Sequence, residues 1–132
     1  MNADHKKQYI TFQIAKAKKI LAEVDFLIEN GFYENAANRL YYACYYAVAA
    51  LLLTKDIKTK THKGVILMFG LHYINTGIID KYSGDLFSRI FDLRQDTDYE
   101  FMFEVKKEQV IVLIEPAKRL VKQIETILLQ NQ

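Results

Sequence analysis

The stretch from Tyr33 to Thr54 is the feature that most limits how this chain can fold. At about 100° per residue, its apolar and aromatic residues fall on every side of a helix rather than on one face. One stripe holds Ala36, Leu40, Ala43, Cys44, Ala47 and Leu51, and the opposite side holds Tyr42, Tyr45, Tyr46, Ala49 and Leu53. A helix that is apolar nearly all round lies at the centre of a bundle or has one face covered by another chain.

Four further segments show the spacings of three and four residues that are typical of amphipathic helices. They run from about Tyr9 to Ile28, Lys63 to Ile74, Asp85 to Arg94 and Val105 to Leu129. Pro116 lies inside the last segment, but the apolar phase is the same on both sides of it, so we predict one continuous, kinked helix. The sequence therefore predicts an all-α fold: an up-and-down four-helix bundle with an additional short helix, in one domain spanning residues 1–132.

Composition and charge exclude several classes of protein. The 18 basic and 16 acidic residues give a formal net charge of +2, so any nucleic-acid site must be a local patch. The apolar run from Leu40 to Leu53 is shorter than the roughly 18 to 20 residues of a membrane-spanning helix. Cys44 is the sole cysteine and lies among apolar residues, which favours a buried thiol in an intracellular protein. We therefore expect a soluble, cytoplasmic protein with no membrane contact.

Metal and cofactor motifs are absent from the sequence. His5, His62 and His72 lie in different segments, and neither HExxH nor CxxC occurs. There is also no P-loop, GxGxxG or GxSxG motif. We expect neither a metal site nor a cofactor.

The stretch "LRQDTDYEF", residues 93–101, concentrates polar and ionisable groups between apolar segments. A guanidinium offers a planar fork of donors, so Arg94 with the neighbouring Gln95 and Tyr99 can hold a phosphate. A structural alternative is equally open at this point. Arg94 in the last turn of a helix interacts favourably with the helix dipole, and Asp98 can pair with it.

Three segments together resemble the HEPN family, small helical proteins of bacteria and archaea. They are "YENAANRLYYACYYAVAALLL", "THKGVILMF" and "LRQDTDYEF", the last in the form typical of the subgroup that ends in Asp-Tyr. The likeness covers nearly the whole chain. It implies a homodimer, and a minimal nucleotidyltransferase as partner in a two-gene system of the toxin–antitoxin type.

The resemblance also implies how the arginine motif is used. Ribonuclease toxins of the family carry Arg, a polar residue, three variable residues and His, and they cleave RNA without metal where two subunits meet. Here the arginine is Arg94, the polar residue is Gln95 and Tyr99 stands in the histidine position. A tyrosine with a pKa of about 10 is a poor general base, whereas a histidine near 6.5 takes and gives protons readily. Where some members carry a tyrosine that receives AMP, this chain has Phe101.

Two other segments supply candidate residues for binding. His62 and Lys63, with the nearby lysines 58 and 60, either extend a phosphate-binding surface toward Arg94 or are a helix cap and solvated charges. Arg39 precedes Tyr42 and Tyr46 by three and seven residues, which suits stacking or hydrogen bonding that also shapes the cleft.

These observations leave three hypotheses. The first is a dimeric module that binds a nucleotide, RNA or a nucleotidyltransferase through Arg94, Gln95, Arg39, His62, Lys63, Tyr42 and Tyr46. The second is a metal-independent ribonuclease toxin in which Tyr99, Asp98 or His62 replaces the usual histidine and acts with Arg94. The third gives the arginine motif a purely structural role as an ion-pair network at a helix end.

Overall fold

The computed structural model describes residues 2–99 and 104–131, and for residues 97–99 it describes the backbone alone. Its helices are α1 (Ala3–Glu29), α2 (Tyr33–Leu53), α3 (His62–Phe69), α4 (Lys81–Tyr99) and α5 (Lys107–Gln130), and a π-helical segment, Gly70–Ile74, continues α3. The described ranges contain no strand. The predicted all-α bundle is confirmed. No helix in these ranges combines the length and the apolar character that a membrane crossing requires.

Helix α2 lies at the centre of the bundle, where it contacts α1, α3, α4 and α5. Its stripe of small and apolar residues is wholly buried, with Leu40, Ala43, Ala47 and Leu51 each 0% exposed. Alanines on this stripe allow the neighbouring helices to approach closely. The all-round apolar pattern is therefore explained by a central position, although the tyrosines on one side of α2 stay only half-buried.

Helix α1 begins earlier than the predicted Tyr9, at Ala3. Its start is set by Asn2, whose side-chain oxygen accepts a hydrogen bond from the backbone N–H of His5 at 2.8 Å. The first turns are polar and mostly exposed, so they carry no apolar pattern. Gly31 follows the helix with a φ of +78°, the left-handed conformation predicted for it.

Helix α4 is longer at both ends than the predicted segment from Asp85 to Arg94. Asp80 caps its start, because its carboxylate accepts hydrogen bonds from the backbone N–H of Ser83 at 3.1 Å and from the Ser83 hydroxyl at 2.8 Å. The helix then continues through Arg94 to Tyr99. The expectation that Arg94 lies in the last turn is therefore wrong, and the dipole argument for it loses its basis.

Helix α5 runs without a break past Pro116, as predicted from the unchanged apolar phase. Its buried side chains lie on both sides of the proline, from Val110 to Leu128. Burial of this stripe outweighs the single backbone hydrogen bond that a proline cannot donate.

Candidate functional site

Arg94 reaches from α4 onto two tyrosine rings of α2. Its guanidinium carbon lies 5.0 Å from the centre of the Tyr41 ring and 5.1 Å from that of Tyr42. The Nη2 group also donates a hydrogen bond to the Tyr42 hydroxyl at 3.1 Å. Cation–π attraction and this bond together hold a half-buried positive charge at a defined position.

His62, the first residue of α3, enters the same cluster from a different part of the chain. Its Nδ1 atom lies 2.7 Å from the Tyr41 hydroxyl, and its ring centre is 4.7 Å from that of Tyr45. Thr61 caps α3 by accepting a hydrogen bond from the backbone N–H of Gly64 at 2.9 Å, which fixes where the helix starts. Helix α3 thus presents a histidine to the arginine of α4 across the tyrosines of α2.

We call Tyr41, Tyr42, Tyr45, Tyr46, His62 and Arg94 the Arg94 cluster. Burial lowers the pKa of His62 below its ordinary value, and the positive charge of Arg94 lowers it further. Burial also raises the pKa of Tyr41 and, together with the neighbouring Tyr46 and Tyr42, that of Tyr45. At neutral pH these shifts favour an uncharged imidazole at His62 and protonated phenols at Tyr41 and Tyr45, beside the fixed positive charge of Arg94.

Arg39 makes neither of the ring contacts that its spacing from Tyr42 and Tyr46 suggested. It donates a hydrogen bond to the Asn38 side chain at 3.2 Å, and it is not among the cations that lie over a tyrosine ring in the described residues. Arg94 lies on the Tyr42 ring instead. Over the Tyr46 ring lies the ammonium group of Lys16, 4.4 Å from its centre. Sequence reasoning missed Lys16 because it looks like any solvent-facing lysine of an amphipathic helix.

Of the other predicted site residues, the structure describes the side chains of some but not of others. Gln95 is half-buried beside Arg94 in α4, and Lys63 is exposed at the start of α3. The side chains of Asp98 and Tyr99 lie outside the described atoms, as does the whole of Phe101. The predicted pairing of Arg94 with an aspartate and the suggested substitution of Tyr99 for histidine stay predictions.

The described residues contain no group of metal ligands, and the cysteine among them is buried. Within residues 2–99 and 104–131, no three His, Cys, Asp or Glu side chains are placed to hold a metal ion. Cys44 is fully buried, and this burial raises the pKa of its thiol to about 12. The described side chains of the cluster offer a guanidinium and phenols that can form hydrogen bonds and an imidazole that can exchange a proton.

A separate cleft of about 780 Å³ lies among the ends of α1, α2 and α5, and none of its lining residues belongs to the Arg94 cluster. Its lining includes Ile10, Ile127 and three lysines, 6, 7 and 55. Lys6 is paired with Asp56 at 2.9 Å. Lys55 lies 4.5 Å from the centre of the Tyr73 ring.

The fold and the cluster define an all-α bundle protein in which three helices bring a cation, a histidine and tyrosines together. Comparison with known proteins identifies the family. The HEPN domain pattern matches residues 10–127, so the chain belongs to the HEPN family.

Relatives from archaea and bacteria extend this result. A protein of Methanocaldococcus jannaschii named "Putative toxin MJ0142" is 39% identical over 101 residues, which cover 76% of this chain and 69% of the relative. Another from the same organism, "Putative toxin MJ0605", is 38% identical over 99 residues, covering 75% and 73% of the two chains. A "UPF0332 protein" of Thermotoga maritima is 31% identical over 125 residues, covering 95% of each.

Proposed function

We propose that this protein is a toxin-like HEPN protein that binds the phosphate of a nucleotide or RNA at the Arg94 cluster. The observation that carries the proposal is the position of Arg94, which is held against the rings of Tyr41 and Tyr42 and bonded to the Tyr42 hydroxyl. The toxin names of two relatives from Methanocaldococcus jannaschii support the biological setting.

The chemistry of the cluster suits an anionic phosphate better than a neutral ligand. A guanidinium binds phosphate oxygens through charge-assisted hydrogen bonds, and rigid packing lowers the entropy lost on binding. Burial raises the pKa of Tyr45, so its hydroxyl is protonated at neutral pH and can donate a hydrogen bond. Tyrosine rings add surfaces on which nucleobases stack. A guanidinium for phosphate, hydroxyl donors and rings for base stacking together point to a nucleotide or RNA as the ligand.

The proposal also includes three finer points. The protein belongs to the Asp-Tyr subgroup of the family, it forms a homodimer, and its partner is a minimal nucleotidyltransferase. Half-buried tyrosines on α2 give a surface that a second chain or a partner can complete. Sedimentation equilibrium of the purified protein tests the dimer. A monomer at high concentration would remove a site composed from two subunits but would leave phosphate binding at a single Arg94 cluster intact.

Binding is tested by the fluorescence anisotropy of a labelled RNA with wild-type protein, Arg94→Ala and Arg119→Ala. Arg119 is an exposed arginine of α5 and serves as the matched control. We expect Arg94→Ala to raise Kd at least about tenfold, the loss of one charge-assisted contact, and Arg119→Ala to leave it near the wild-type value. Equal affinities for all three proteins would refute the proposed site, provided that circular dichroism shows each variant to be folded.

One observation favours a second function, metal-independent cleavage of RNA. His62 supplies a histidine to the arginine cluster, although the sequence position of the family's histidine holds Tyr99. A base role needs the tautomer in which Nδ1–H donates to the Tyr41 oxygen and Nε2 accepts the proton of a ribose 2′-hydroxyl. The 2′-oxygen then attacks the phosphorus, and the bond to the 5′-oxygen breaks. The proton passes to that oxygen, which leaves a 2′,3′-cyclic phosphate and a 5′-hydroxyl.

Incubating purified protein with bulk tRNA in EDTA separates binding from cleavage. If His62 is the base, cleavage products carry cyclic phosphate ends and disappear with both Arg94→Ala and His62→Gln. If the RNA stays intact with wild-type protein, the protein is a binding module. Cleavage that survives His62→Gln but not Arg94→Ala would assign the proton transfer to another group.

A further inference from the structure

Two cations from different helices lie at separate points on the tyrosine row of α2. Arg94 of α4 contacts the Tyr42 ring at 5.1 Å, and Lys16 of α1 lies 4.4 Å from the centre of the Tyr46 ring. Tyr42 and Tyr46 are one helical turn apart, with ring centres separated by 6.0 Å. The row therefore runs from one cation to the other without interruption.

The rings between the cations are accessible enough to take part in binding. Tyr42, Tyr45 and Tyr46 are half-buried, unlike Tyr41, which is 0% exposed. Tyr45 contacts both of the others, with ring centres 6.2 Å from Tyr42 and 5.8 Å from Tyr46. Partly exposed aromatic rings beside positive charge are the usual construction of surfaces that bind single strands without reading sequence.

Lys16 differs from Lys18 of the same helix in that no carboxylate of the described residues pairs with it. Lys18, two residues later, is paired with Glu125 at 2.9 Å. Lys16 is exposed and makes none of the ion pairs found among the described residues. Its positive charge is therefore not neutralised by a protein carboxylate within that part of the chain, and it is held at the row by the Tyr46 ring.

We infer that the ligand is single-stranded RNA laid along the tyrosine row, with one phosphate at Arg94 and another at Lys16. This inference rests on the proposed function and makes it more specific. A mononucleotide such as AMP has one phosphate group and cannot place a phosphate at both cations. The rings between them contact the bases or sugars of the intervening nucleotides. A duplex has its bases stacked inside and cannot use such a row.

The test compares AMP with a single-stranded oligouridylate of about six nucleotides, both measured by isothermal titration calorimetry. The variants are Lys16→Ala, Lys19→Ala and Arg94→Ala. Lys19 is an exposed lysine on the same helix and makes none of the ion pairs of the described residues, so it is the matched control. All variants change exposed or half-buried side chains, and circular dichroism checks that each is folded.

We expect Lys16→Ala to bind AMP like the wild type but to bind the oligouridylate about fivefold more weakly. For this variant, the plot of the logarithm of the binding constant against the logarithm of the salt concentration should be shallower by about 0.7. That change is expected when one phosphate contact on a single strand is lost. Lys19→Ala should match the wild type with both probes, and Arg94→Ala should weaken both. A Lys16→Ala variant that binds the oligouridylate like Lys19→Ala overturns the inference and leaves the Arg94 site standing. If Arg94→Ala changes neither probe, or wild-type protein binds neither, the proposed function itself fails.

Discussion

The Tyr41 hydroxyl and the Nδ1 atom of His62 lie 2.7 Å apart, which joins a fully buried side chain of α2 to the first residue of α3. The guanidinium of Arg94 lies 5.0 Å from the centre of the same Tyr41 ring. One buried ring therefore positions both the histidine and the arginine of the site. The interior of the bundle and the candidate site share a residue, so stability and binding should respond together when it changes.

Replacing Tyr41 by phenylalanine tests this link. The ring and its packing are retained, but the hydrogen bond to His62 is lost, so the free energy of unfolding should fall by about 1 kcal/mol. Urea denaturation measures the loss. A change as large as the ~3 to 5 kcal/mol typical of removing a whole aromatic side chain would mean that packing, rather than the hydroxyl, had been disturbed.

The pH dependence of stability should contain a contribution from His62. Its pKa in the folded protein lies below the ordinary 6.5 because of burial and Arg94. As pH falls below 6.5, the unfolded chain takes up a proton before the folded one does, so the free energy of unfolding decreases until the folded pKa is passed. His62→Gln should lack this decrease. Denaturation of both proteins at a series of acid pH values checks it, and parallel curves would contradict the assigned environment.

Removing the charge of Arg94 should raise the pKa of His62 toward its ordinary value, because the neighbouring cation disfavours the imidazolium. Burial is the larger cause, so the pKa should remain below 6.5 in Arg94→Gln. Following the His62 ring protons by NMR during an acid titration gives both values. An unchanged pKa would show that the two groups do not interact electrostatically.

Two glycines around the π-helical segment should respond oppositely to alanine. At Gly84 of α4 a Cβ atom would lie 2.9 Å from Cγ1 of Ile74, so Gly84→Ala should destabilise the protein by about 1 to 2 kcal/mol despite better helix propensity. At Gly70 a Cβ meets no atom within 4 Å, so Gly70→Ala should stabilise it by about 0.5 to 1 kcal/mol. Thermal unfolding of both variants measures the two changes in stability. A stabilised Gly84→Ala would mean that the Ile74 side chain moves aside easily.

Cys44 should be inert in the folded protein. It is 0% exposed, and burial raises its pKa to about 12, so almost no thiolate is available to react. A thiol reagent at mildly alkaline pH should label the native protein at the slow rate of unfolding and the urea-unfolded chain rapidly. Rapid labelling of native protein would instead point to a reactive thiol.

Those parts of the fold that depend on burial could be predicted from the sequence. The stripe of α2 and the apolar phase of α5 across Pro116 both predicted what the structure shows, because hydrophobic periodicity reflects burial directly. The ends of the helices were less predictable. The caps by Asn2 and Asp80 depend on local hydrogen bonds, and the exposed turns that they start carry no apolar pattern.

The candidate site was predictable only in part, because it is assembled from separate segments. Arg94, Tyr42 and His62 were recognised as candidates, and the structure brings them together. Lys16 was missed, and the cations over the Tyr42 and Tyr46 rings are Arg94 and Lys16 rather than the Arg39 that the spacing suggested. Which of several cations reaches a ring depends on how α1 and α4 pack against α2, and residue spacing along one helix does not contain that information.

The central claim, that RNA binds at the Arg94 cluster, is tested most directly by NMR. Adding a single-stranded oligouridylate to ¹⁵N-labelled protein should shift the backbone amides of Tyr41 to Tyr46, His62 and Arg94. Shifts confined to the cleft lined by Lys6, Lys7 and Lys55, or no shifts at all, would contradict the account.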